Sequence, residues 1–185
     1  MRELLLCISI LLGETLDILN LNKWEKISGD WVVLNDTLKG STSSGDGLIF
    51  LKDKVFKDFI LECKISVESR EGSIAFRILD KNNMYILVFN PKVNKDAQGS
   101  LLLIRRIKGK ETYFAGLEQY VPLRTWIKIK LVVEGKKINV YSNDNFVLSV
   151  EDENFSEGKV GMRVFGDILS PCTAYYKDFS IDVIR

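Results

Sequence analysis

Histidine is absent from all 185 residues. That removes the commonest general base and the commonest metal ligand together. It also excludes Ser-His-Asp and Cys-His catalysis within this chain. Cysteine is scarce, and Cys7, Cys63 and Cys172 are widely spaced. None belongs to a C-x-x-C pair, so zinc-ribbon and thioredoxin-like chemistry are excluded. Three cysteines allow at most one disulfide and leave the redox compartment open. An excess of either charge is also missing: 26 basic and 25 acidic residues leave a net charge of +1. No Lys/Arg block interleaves with aromatics, so nothing favours a nucleic-acid partner. The longest apolar run lies within Met1 to Gly13 and is about half the ~20 residues that a membrane-spanning helix needs.

What is present is alternation. In Phe59 to Val67, the residues Phe59, Leu61, Cys63, Ile65 and Val67 share one face, and Ile60, Glu62, Lys64 and Ser66 take the other. After a polar break at Glu68 to Gly72, Ile74, Phe76 and Ile78 are expected inward, with Ala75 and Arg77 outward. Tyr85 to Phe89 is apolar throughout, as expected of a strand covered on both faces. Trp31 to Leu34 and Thr37 to Gly40 flank the turn pair Asn35-Asp36, and Ser41 to Gly47 reads as a loop. Further strands are expected at Ser100–Lys108, Glu111–Ala115, Thr125–Glu134, Lys137–Ser142, Phe146–Val150, Gly158–Phe165 and Tyr175–Ile184. Trp31 and Trp126 fall in strand patterns and are expected in the core. About a dozen short strands with Gly, Asn and Asp turns and no helical period predict an all-β, antiparallel two-sheet sandwich.

Residues 14–185 form one domain on this reading, and residues 1–13 stand apart. The apolar run in 1–13 fits a signal-like core or an extra strand. As a strand it could add to the sheet edge of a second copy and cause self-association.

Several landmarks recur in a characteristic order. They include Gly29-Asp30-Trp31, Lys57-Asp58-Phe59-x-Leu61-Glu62, Gly72-x-Ile74-x-Phe76-Arg77, Asn83-x-Tyr85 and Leu103-x-Arg105. They continue with Trp126-x-Lys128, Ile138-x-Val140-Tyr141, Phe155-x-x-Gly158-x-Val160-Gly161-x-Arg163 and Lys177-Asp178-Phe179. This order resembles concanavalin A-like jelly rolls of the laminin-G-like kind. Within them it is most similar to the 3-keto-disaccharide hydrolase domain and the carbohydrate-binding modules attached to levanases. The resemblance implies an extracellular or envelope protein that binds a glycan or oligosaccharide on a concave sheet or its rim. It also implies a structural calcium ion, for which Asp178 and one of Asp30 or Asp17 are candidate ligands. The Glu-x-Asp-x-x-Glu strand of laminarinase-type relatives is missing, so no catalytic residue is assigned.

Five residues are candidates for ligand contact. Arg77 and Arg163 sit between apolar neighbours, where a planar five-donor fork suits paired hydroxyls. An ion pair on the sheet surface is the plainer role for each. Tyr85 and Arg105 could share the same face, and Asp46 in the Gly-rich loop could accept from hydroxyls or simply shape a turn. Glu151 to Glu153 is the densest acidic cluster and reads as solvated loop charge. Three functions follow: a non-catalytic glycan-binding domain, an enzyme of the 3-keto-disaccharide hydrolase type, or a structural subunit joined by strand addition.

Overall fold

The computed structural model describes residues 14–91, 100–118 and 121–184. The first strands are β1 (Glu14–Thr15), β2 (Trp24–Ser28), β3 (Asp30–Leu34), β4 (Thr37–Thr42) and β5 (Gly45–Leu51). Next come β6 (Phe59–Ser69), β7 (Glu71–Asp80), β8 (Asn83–Asn90), β9 (Ser100–Ile107) and β10 (Lys110–Glu118). The chain closes with β11 (Ile127–Glu134), β12 (Lys137–Ser142), β13 (Asn145–Glu151), β14 (Lys159–Gly166) and β15 (Cys172–Val183). The one described helical turn is the 3-10 segment Leu21–Lys23, capped by the Asn20 side chain.

Two antiparallel sheets pack as a jelly-roll sandwich. One runs β13-β12-β11-β6-β15-β4-β3, with β1 joined to β15; the other runs β10-β9-β8-β7-β14-β5-β2. The main core lies between them and holds the inward sets of β6, β11, β14 and β15, together with Trp24, Trp31 and Tyr176. The predicted phase of β6 is observed, and Cys63 is buried in it.

A second apolar cluster sits on the other face of the seven-stranded sheet: Leu48, Phe50, Ala75, Ile78, Met84, Ile86 and Val88. It explains why β8 carries no polar alternation, because that strand is buried on both faces. Three local expectations are corrected. Ser41 to Gly47 is mostly strand, with β4 running to Thr42 and β5 starting at Gly45. Trp126 is 38% exposed rather than core, because it precedes β11 and lies on the sheet's outer side. Ile78 belongs to the second cluster, not the main core, because the strand changes phase at Arg77.

That phase change is a β-bulge. Pairing between β7 and β8 slips between Phe76 and Asp80, and Arg77 takes a left-handed φ of 46°. Gly158 makes the crossing feasible: a Cβ there would stand 2.3 Å from the Arg77 carbonyl carbon.

Candidate functional site

Strand register builds a charged array on the outer face of the seven-stranded sheet. Phe165 of β14 is paired with Asp46 of β5 on one side and Glu71 of β7 on the other. Arg163, two residues earlier, therefore reaches both acids. Its Nε donates to Asp46 Oδ1 and its Nη1 to Glu71 Oε1, each at 2.6 Å. Its guanidinium also lies 4.9 Å from the Phe165 ring centroid. On the far side of the sheet, Arg106 of β9 and Glu111 of β10 are register partners and form an ion pair.

The two halves meet. Arg106 Nη2 lies 2.7 Å from Asp46 Oδ2, and Arg163 Nη2 lies 3.5 Å from Glu111 Oε1. In a flat sheet β9 and β5, four intervals apart in strand order, would be about 19 Å apart. The sheet is therefore strongly curled, and these ion pairs close the curl over the second apolar cluster. Three carboxylates face two guanidiniums, so the array is not a general anion trap. Burial pushes the Glu71 carboxyl up despite Arg163 and its hydrogen bond. Burial pulls the Arg163 guanidinium down, but Asp46, Glu71 and Glu111 outweigh it and leave it raised. Ser73, the register partner of Arg163, keeps a buried hydroxyl with no hydrogen-bond partner among the described residues.

Beside the array opens a pocket of about 600 Å3. Asp46, Glu111, Arg106 and Lys81 supply its charge, two of each sign, Ile27, Leu48 and Phe165 its apolar wall, and Asn82 also lines it. Alternating acceptors and donors beside an apolar wall can hold vicinal hydroxyls and the C–H face of a small polar ring.

Of the candidates read from sequence, Asp46 lines this pocket, and Arg163 lies directly behind it. Arg77 does not join them. It is turned inward by the bulge, is 1% exposed, and donates to three main-chain carbonyls: Lys57, Phe155 and Gly135. Its role is to clamp three loops. Tyr85 and Arg105 do share a partner, as their register pairing suggests, but that partner is Asp152. Tyr85 also accepts from the Phe155 amide at 3.1 Å, so this group anchors the loop after β13. Asp152 is thus an anchored side chain and not solvated loop charge. Asp178 pairs with Lys64 at 2.8 Å, and Asp30 opens β3 opposite Ser41 on another strand. Among the described residues no group of three or more Asp, Glu, Cys or His side chains could hold a metal ion.

Arg106 and Glu111 are the pocket residues that sequence reading missed. Their signal was a cross-strand Arg/Glu pair about the Gly109 turn, which by itself looks like any surface pair.

Residues 13–182 match the family of the 3-keto-alpha-glucoside-1,2-lyase-like domain. The chain belongs to this family. The domain is 25% identical over 160 residues to the levanase of Bacillus subtilis strain 168. That match covers 83% of this chain and 22% of the levanase, so the chain spans about a fifth of that relative's length. The fold of the lyase-like domain is also that of the carbohydrate-binding module CBM66 from Bacillus subtilis, with a TM-score of 0.75 and 22% identity. This likeness covers 86% of this chain and 95% of the module. A Crh5 transglycosylase in complex with NAG superposes with a TM-score of 0.64 at 14% identity, over 94% of this chain and 84% of that one. Binding modules and enzymes thus share this architecture.

Proposed function

We propose that this domain is a non-catalytic glycan-binding module that takes a neutral sugar residue in the pocket walled by Asp46, Arg106 and Glu111. The observation that carries this reading is the alternation of carboxylate and guanidinium around the pocket, set against Leu48 and Phe165. Asp46 and Glu111 offset Arg106 and Lys81, so the lining holds no excess positive charge for a uronate or sulfated sugar, and the paired groups are held ready for hydroxyls. The levanase relative and the carbohydrate-binding module of the same fold support a sugar partner. An extracellular or envelope setting accompanies such a ligand. Residues 1–13, on which the signal-like and strand-addition readings rest, lie outside the described residues.

The test is a glycan array with the full chain, run with and without calcium, followed by titration of the best hit. Glu111→Gln should weaken that binding at least tenfold, about 1.4 kcal/mol. Unchanged affinity would remove the pocket from consideration.

The family description favours a second reading, elimination from a 3-keto-glucoside. A carboxylate would take the C2 proton, the electron pair would form the C1–C2 double bond, and the glycosidic oxygen would leave. Asp46 and Glu111 are the pocket carboxylates available for that proton. Release of the leaving group from a 3-keto-glucoside, lost in Glu111→Gln and Asp46→Asn, would establish the enzyme reading over the binding one.

A further inference from the structure

The outer face of the other sheet carries a row of side chains that the pocket does not use. Ile127 of β11 and Tyr176 of β15 both pair with Ile65 of β6, and Ser66 pairs with Tyr175. One residue before Ile127, Trp126 therefore stands beside Ser66, with Tyr175 beyond it. Lys39 of β4 continues the row as the register partner of Tyr175. Trp126 and Tyr175 are two strand spacings apart, roughly 10 Å, and the buried Ser66 lies between them.

Trp126 is 38% exposed, whereas Trp24 and Trp31 are buried at 2% and 1%. The Lys177 ammonium lies 4.5 Å from its ring centroid, which fixes the indole on the sheet surface. Tyr175 is held as well, its hydroxyl donating to Glu68 Oε2 at 2.9 Å. Arg124 stands 3.8 Å from Glu68 with its side chain 76% exposed. The row thus combines two fixed aromatic rings with an exposed arginine, a carboxylate and the Lys39 amine.

We infer that this row is a second carbohydrate-binding surface, suited to a neutral oligosaccharide lying across the strands. Sugar rings present apolar C–H faces that pack on aromatic rings, and hydroxyls at their edges that Arg124 and Glu68 can meet. Val32 of β3, 46% exposed, ends the row as the register partner of Lys39. Glu68 and Lys39 within the row are of the kinds depleted from the core of a protein interface, which favours a glycan as the occupant. The row and the pocket lie on opposite faces of the sandwich, so one domain could hold two segments of a polysaccharide. Simultaneous engagement raises retention on a polymer without any new contact.

The experiment uses the full chain and the exposure of Trp126. Iodide quenching of tryptophan fluorescence reports this indole, since Trp24 and Trp31 are buried. Cellohexaose, laminarihexaose, inulin and levan are the probes. At least one should lower the quenching constant about twofold and shift the emission to the blue. Trp126→Ala should reduce retention on the matching polysaccharide gel at least tenfold, with an unchanged melting temperature. Glu111→Gln separates the two sites, because the Trp126 signal should persist when the pocket is disarmed. No protection by any probe overturns the inference, as does a signal that vanishes in Glu111→Gln. Protection that instead follows protein concentration would make the row a contact between copies and overturn it too. Each of these failures leaves the pocket reading to its own test.

Discussion

Arg106 and Asp46 meet at 2.7 Å across the face of a sheet that separates their strands by four intervals. The contact requires the sheet to curl, and the curl creates both the second apolar cluster and the pocket.

Breaking this contact should loosen the curl. Asp46→Ala removes one carboxylate shared by two buried guanidiniums, Arg106 and Arg163, which keep Glu111 and Glu71. The expected loss is about 1–3 kcal/mol, that of charge-assisted hydrogen bonds taken from a network that keeps its other partners. Chemical denaturation should show it, and dye binding to exposed apolar surface should rise. A loss within about 0.5 kcal/mol would mean that the curl is held by packing alone.

Arg77 should prove structural. Arg77→Ala leaves the carbonyls of Lys57, Phe155 and Gly135 without their donor. The Phe155 carbonyl bond is buried, and leaving that group unsatisfied costs about 1–3 kcal/mol. The partly buried Lys57 and Gly135 carbonyls add less, and the total should exceed the roughly 0.5 kcal/mol of an ordinary surface change. Arg77→Lys should recover only part, since an ammonium cannot span three carbonyls in the same geometry. Affinity for a sugar, measured on whatever fraction stays folded, should be unchanged.

Asp152 should govern part of the acid limb of stability. Burial pushes its carboxyl up, but the Tyr85 hydroxyl, the Asn154 side chain and amide, and Arg105 outweigh burial and hold it below its ordinary value. A depressed folded-state pKa adds stability above the unfolded value, about 4, and loses it as pH falls through the folded value. Urea midpoints measured from pH 6 down to pH 2 should therefore fall less steeply in Asp152→Asn than in the parent. At pH 7 the substitution should cost about 1–3 kcal/mol.

The buried thiols should be inert in the native state. Burial pushes the Cys63 thiol well up, helped by the charges of Asp178 and Glu62, and pushes Cys172 up to about 11. Peptide mapping after treatment with a thiol reagent at pH 8 should find both unmodified until denaturant is added. Rapid native labelling of Cys63 would contradict its place in the core.

The alternation in Phe59 to Val67, repeated in about a dozen short strands between Gly, Asn and Asp turns, made the fold class legible, because a period of two is a local property of the chain. The unbroken apolar run Tyr85 to Phe89 was likewise legible as a strand covered on both faces. Arg77 was not. Its outward phase followed from counting residues, and counting fails where a bulge inserts a change of phase. Nothing in Phe76-Arg77-Ile78 marks that bulge, and the residue that leaves room for it, Gly158, lies eighty-one positions downstream.

The pocket was half legible for the same reason. Arg163 could be named as a polar residue between apolar neighbours and Asp46 as an acid in a Gly-rich stretch, both features of the chain itself. Arg106 and Glu111 could not, because their value comes from where a curled sheet carries them. Composition and period determined that this chain makes an antiparallel sandwich without histidine chemistry. Only the tertiary structure decided which charges face one another, because curvature and bulges sum small local twists over many strands, and no short window of sequence contains that sum.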